Sequence, residues 1–172
     1  FVDVKLHDIP NTVEQAVRGW GKRGADFLTV HASGGRKMVE AACKAAGKVR
    51  LLAVTVLTSL GPEELSELGW GGKPEDLEAR VLSLGRMAVE SGVPGLVCSL
   101  KEAPALRKSL GSGPLLVCPG IRLPGAAKDD QSRAGTPEEA AKSGADFLVV
   151  GRPVVQAPDP AEAVEKLKEA LG

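Results

Sequence analysis

Short apolar runs alternate with segments whose apolar residues recur every three or four positions along almost the whole chain. Val13, Ala16, Val17 and Trp20 fall at helical spacing, and Gly24 ends that segment before the run Asp26-Phe-Leu-Thr-Val30. Residues 36–46 predict a helix leading to a strand at 50–56, and Leu77, Val81, Leu84 and Ala88 predict a longer helix before a strand at 95–98. A shorter helix near 101–109 precedes a strand at 114–118, and one near 137–143 precedes a strand at 146–150. Val164, Leu167 and Leu171 close the chain as a helix. These runs are unbroken rather than alternating, the pattern of a parallel sheet covered by helices on both faces. The first strand, 1–6, differs: with a side-chain period of two, Asp3 and Lys5 share one face while Val2, Val4 and Leu6 share the other.

Strands alternating with helices at this spacing fit either a doubly wound sheet or a (β/α)8 TIM barrel, the latter typically ~250 residues long. In the barrel reading, 172 residues and six strands make three quarters of the closed fold. The sequence opens inside a strand without an initiator Met, so the expectation is one TIM-barrel domain over 1–172, N-terminally incomplete, with the first two βα units absent.

Composition narrows the function. Lys plus Arg and Asp plus Glu number 22 each, so the net charge is zero and nothing favours nucleic acid or an acidic membrane surface. Aromatic residues are 3% of the chain, too few for base-stacking platforms. No stretch approaches the roughly 20 apolar residues of a membrane span. Cys43, Cys98 and Cys118 show no metal-binding spacing and are odd in number, so they read as free thiols in a reducing cytoplasm, with no metal expected.

The candidate chemistry gathers at strand ends. Asp8 follows the first strand, where the chain turns through Ile9-Pro10-Asn11 and Thr12 is placed to cap the next helix, so Asp3, Lys5 and Asp8 are expected to converge. An Asp–Lys pair inside a barrel can be structural, but desolvation makes buried pairs weak stabilisers. The functional alternative is a fixed ammonium that donates a proton. His31, Thr58 with Ser59, Ser99, Pro119-Gly-Ile-Arg122 and Gly151-Arg152 also follow strands, on the face where barrel enzymes place their sites. Arg152 stands where such barrels commonly grip phosphate. The segment between Pro119 and Thr136, rich in glycine and charge and lacking periodicity, reads as a lid over that phosphate.

The run Asp3-Val-Lys5-Leu-His-Asp8-Ile-Pro-Asn-Thr12 resembles the D-x-K-x-x-D signature of orotidine 5'-phosphate decarboxylases of the bacterial type. Val30-His-Ala-Ser-Gly-Gly35, Leu57-Thr-Ser59, Val97-Cys-Ser99, Cys118-Pro-Gly-Ile-Arg122, Asp130-Gln131 and Val150-Gly-Arg-Pro153 resemble that family in the same order, over essentially the whole chain. The resemblance implies cofactor-free decarboxylation of orotidine 5'-phosphate to uridine 5'-phosphate in pyrimidine biosynthesis. It makes Lys5 the proton donor to C6 of the pyrimidine and places Asp3 beside the substrate carboxylate. Asp8, Ile9 and Thr12 would reach the neighbouring subunit's site in a homodimer with shared sites, and Thr58 and Ser99 would contact the substrate. Arg122, Gln131, Gly151 and Arg152 would hold the 5'-phosphate. Pro124 stands where some members carry Gln, and the family's remaining catalytic Asp and Lys belong to its first two strands, outside this sequence. The alternatives are a Mg²⁺-dependent sugar-phosphate lyase or decarboxylase of the same superfamily and a non-catalytic nucleotide-binding barrel.

Overall fold

The structure, a computed structural model, describes residues 1–121 and 135–171. Six parallel strands form one sheet in strict chain order: β1 (Val2–Leu6), β2 (Phe27–His31), β3 (Arg50–Val54), β4 (Gly95–Val97), β5 (Leu115–Pro119) and β6 (Phe147–Val149). Helices α1 (Pro10–Lys22), α2 (Arg36–Ala45), α3 (Pro62–Glu67), α4 (Pro74–Glu90), α5 (Ala103–Leu110), α6 (Pro137–Ser143), α7 (Arg152–Val155) and α8 (Pro160–Leu171) connect and follow the strands. A doubly wound sheet reverses its strand order at a switch point. This sheet never reverses, which decides for the barrel.

The sheet is also curled. The Phe27 ring on β2 lies 5.7 Å from the Phe147 ring on β6 and 6.3 Å from the Phe1 ring. Strands spaced about 4.8 Å apart would separate β2 from β6 by roughly 19 Å in a flat sheet. Only a sheet bent round on itself brings those rings together. The fold is therefore six consecutive βα units of a (β/α)8 barrel, with β1 and β6 at the two ends of the described sheet.

Leucines, valines and alanines hold the units together. Val13 and Val17 of α1, Met38, Val39 and Ala42 of α2 and Val81 and Ala88 of α4 are all buried against strand residues such as Leu28, Val30, Leu51 and Leu96. A Cβ at Gly85 would meet Leu106 Cδ2 at 2.9 Å and Leu96 Cδ1 at 3.2 Å, so this glycine lets α4 approach the sheet. Proline occupies the first turn of α1, α3, α4, α5, α6 and α7, where its missing N–H leaves no helical bond unmade.

One expected cap is corrected. Thr12 lies inside the first turn of α1, whose N-cap is Ile9, because Pro10 with its preset φ starts the helix earlier. The Asp8 carboxylate accepts from the Ile9 N–H at 2.6 Å instead. Thr136 does cap: it accepts from Glu139 N at 3.3 Å while Glu139 Oε2 takes the Thr136 N–H at 2.8 Å, a capping box at the start of α6.

Candidate active site

The end of β1 is not a plain strand. Between Val2 and Leu6 the pairing advances four residues on β1 but two on β2, from Leu28 to Val30. Within that interruption Lys5 has φ +47°, the one positive-φ residue other than glycine among the described residues. A left-handed lysine is a strained conformation of the kind that clusters at functional sites. Lys5 Nζ donates to Asp3 Oδ2 at 2.8 Å, and Thr29 Oγ1 donates to Asp3 Oδ1 at 2.9 Å. The Lys5 N–H donates to that same Thr29 Oγ1 at 2.8 Å.

The exposure of this pair argues against a structural role. The Lys5 and Asp3 side chains are 39% and 43% exposed, and solvent-accessible ion pairs contribute about 0–1 kcal/mol. A single buried leucine such as Leu96 contributes about 1.5–3 kcal/mol. The apolar core stabilises this fold far more than the pair does.

Lys5 and Asp3 form one wall of a cavity of about 240 Å³ whose other walls include Thr58, Pro119, Gly151 and Arg152. These residues come from the C-terminal ends of β1, β5 and β6 and from the segment after β3; of the other strand-end residues expected at this mouth, His31, Ser59 and Ser99 are not among the cavity's lining. Ser99 sits beyond β4, fully buried, and its hydroxyl has no hydrogen-bond partner among the described residues. Its backbone N–H is held at 2.9 Å by Glu102 Oε2, a buried carboxylate. An unpaired buried hydroxyl costs about 1–3 kcal/mol, which suits a group kept for a ligand.

The expected convergence of Asp8 with Asp3 and Lys5 is corrected. Asp8 is exposed and turns back onto Ile9, lining a separate surface hollow with His7, Ile9, Pro10, Ser33 and Gly34. Ile9 is 67% exposed, and Thr12 is exposed beside it. Arg122 and Gln131 lie outside the described residues. The segment that carries them is flanked by a bridge between Ile121 and Gly135. Among the described residues no three His, Cys, Asp or Glu side chains cluster so as to hold a metal ion. Nor is any described helix long and apolar enough to cross a membrane.

Two residues and one contact near the site are not read from the sequence. Thr29 hides in the middle of an apolar strand, and Glu102 was signalled only by the Ser99-x-x-Glu102 spacing of a capping box. The third is a stack of His7 on His31, centroids 5.2 Å apart, with Ser33 Oγ 2.7 Å from His31 Nδ1. Burial, and then the neighbouring His7 and Lys5, push the His31 imidazole below its usual value. The unfolded chain therefore takes up a proton near pH 6.5 that the folded protein refuses until lower pH. Stability should fall as pH drops below about 6.5 towards the lower folded value. Urea midpoints at pH 8 and pH 5.5 should differ less for His31→Gln than for the parent.

The model of the Orotidine 5'-phosphate decarboxylase / HUMPS family matches residues 1–167. The chain belongs to that family. It is 55% identical over 172 residues to the orotidine 5'-phosphate decarboxylase of Anaeromyxobacter sp. (strain K), covering 99% of this chain and 74% of that protein. It is 48% identical over 171 residues to that of Thermobifida fusca (strain YX), covering 99% of this chain and 72% of the relative. The crystal structure of orotidine 5'-phosphate decarboxylase from Lactobacillus acidophilus superposes with a TM-score of 0.83 at 38% identity, covering 99% of this chain and 74% of that one. Decarboxylases of this family are (β/α)8 barrels, and the six strands in chain order are six of those eight. The run Asp3-Val-Lys5-Leu-His-Asp8 thus lies at the interrupted end of β1, with Asp3 and Lys5 paired.

Proposed function

We propose that the protein decarboxylates orotidine 5'-phosphate to uridine 5'-phosphate, without a cofactor, in pyrimidine biosynthesis. The observation that carries this reading is the Asp3–Lys5 pair on one wall of a cavity that Arg152 lines on another. A substrate with an anionic phosphate at one end and a reacting carbon at the other suits such a cavity.

Breaking the C6–carboxylate bond leaves its electron pair on C6 in the plane of the ring, with no conjugated sink. A fixed ammonium beside that carbon stabilises the developing charge without reorganising. Lys5 supplies the ammonium and then transfers an Nζ proton to C6, regaining one from water afterwards. Asp3 holds Nζ in place through Oδ2 and faces the departing carboxylate. The unpaired Ser99 hydroxyl bonds the pyrimidine edge, and Thr58 contacts the substrate nearby. Arg152 grips the phosphate with Gly151, Arg122 and Gln131, so binding energy from the remote phosphate reaches the reacting carbon through orientation.

Asp8, Ile9 and Thr12 complete the site of a second subunit in a homodimer. Their exposure, with a large aliphatic side chain at Ile9, supports that placement. Three free cysteines fit a cytoplasmic setting.

The test is to incubate the protein with orotidine 5'-phosphate in the presence of a chelator. Stoichiometric uridine 5'-phosphate is the expected product. Turnover of a sugar phosphate that appears only with Mg²⁺ would replace this reading with the lyase one. Tight uridine 5'-phosphate binding without turnover would leave a binding module.

A further inference from the structure

We propose that Thr29 is a positioning residue for Lys5 and Asp3, setting the direction of both through one hydroxyl. The inference rests on the decarboxylase reading of the site and adds a residue to it.

Thr29 is fully buried between Leu28 and Val30 in β2, where valine would match its shape. Its hydroxyl has one proton to give and lone pairs to receive. The proton goes to Asp3 Oδ1 at 2.9 Å, and the Lys5 N–H arrives at 2.8 Å. Thr29 is also the β2 residue opposite the interruption, between the paired Leu28 and Val30. At that point the Lys5 N–H goes to a side chain of β2, so the hydroxyl stands in for the strand ladder where β1 leaves its regular course.

The consequence is geometric. Lys5 is held in a left-handed conformation, φ +47°, that a lysine does not adopt without support from its surroundings. Thr29 provides that support at the backbone. Through Asp3 it also fixes the tip of the side chain: with Oδ1 bound to Thr29, Oδ2 is turned to Nζ at 2.8 Å. One buried hydroxyl therefore constrains Lys5 at both ends. A reacting ammonium displaced by about 1 Å loses on the order of 10²-fold in rate, so this control belongs to the chemistry.

Thr29→Val keeps the shape and removes the hydroxyl, and Thr29→Ser keeps the hydroxyl. In steady-state kinetics on orotidine 5'-phosphate, Thr29→Val should lower kcat by roughly 10–100-fold with KM within about threefold, since substrate contacts are untouched. Thr29→Ser should stay within about threefold of the parent in kcat. Hydrogen exchange at the Lys5 amide should accelerate about tenfold or more in Thr29→Val and not in Thr29→Ser. Should Thr29→Val not fold, Thr29→Ala carries the same comparison. Parental kcat together with parental Lys5 exchange in the hydroxyl-free variant would overturn the inference. So would equal losses in Thr29→Ser and Thr29→Val, which would assign the effect to packing. If the parent itself does not turn over orotidine 5'-phosphate, the decarboxylase reading fails, and the exchange comparison still decides whether Thr29 holds Lys5.

Discussion

Lys5→Ala should abolish turnover of orotidine 5'-phosphate while leaving uridine 5'-phosphate binding within about threefold of the parent. The size of the loss follows from two separate duties. Removing a preorganised group aimed at developing charge costs about 10²–10³-fold, and removing a positioned proton donor about 10²–10⁴-fold. In the proposed mechanism Lys5 performs both at one carbon, so the losses should multiply to at least ~10⁴-fold. Stability should barely change, because the pair with Asp3 is more than a third exposed on both sides. Residual activity within tenfold of the parent would remove Lys5 from the mechanism.

Arg152→Ala should have the next largest effect, through the other end of the substrate. A guanidinium gripping phosphate makes two charge-assisted hydrogen bonds of about 1.5–3 kcal/mol each. Losing both amounts to roughly 3–6 kcal/mol, or about 10²–10⁴ in kcat/KM. The loss should divide between a higher KM and a lower kcat, since in the proposed mechanism phosphate binding also orients the pyrimidine over Lys5. Binding measurements separate this from a collapse of the site: Arg152→Ala should weaken uridine 5'-phosphate and leave uridine unaffected. Arg152→Lys, which retains charge but not the planar fork, should fall between the two. An unchanged kcat/KM in Arg152→Ala would place the phosphate elsewhere in the cavity.

Much of this architecture can be read from apolar periodicity, because strands covered on both faces have no polar alternation to obscure them. The run 146–150 marks β6, and Val81 and Ala88 mark the buried face of α4. Strand order cannot be read that way. It took the unreversed sheet and the Phe27–Phe147 contact to separate a barrel from a doubly wound sheet.

The site is legible to different depths. Alternation in the first six residues places Asp3 and Lys5 on one face, and they do meet. It cannot show that Lys5 reaches Asp3 from a left-handed conformation outside regular pairing, since local pattern carries no register. Thr29 is hidden for a related reason: a threonine within an apolar strand reads as a β-branched core residue until its partners are seen. Pro10 opens α1 earlier than a Thr12 cap would, and Asp8 accepts from the Ile9 N–H, neither of which the local pattern of polar residues reveals. Arg152 and Thr58 needed only their position after a strand, the most dependable signal in this fold.

The most direct test of Lys5-dependent decarboxylation is release of labelled carbon dioxide from carboxyl-labelled orotidine 5'-phosphate, with a chelator present and with the parent and Lys5→Ala side by side. The parent should release one labelled carbon dioxide per uridine 5'-phosphate, with no effect of the chelator, and the variant none above background. Parent protein that binds uridine 5'-phosphate yet releases no label, or a variant that releases it at the parental rate, would contradict it.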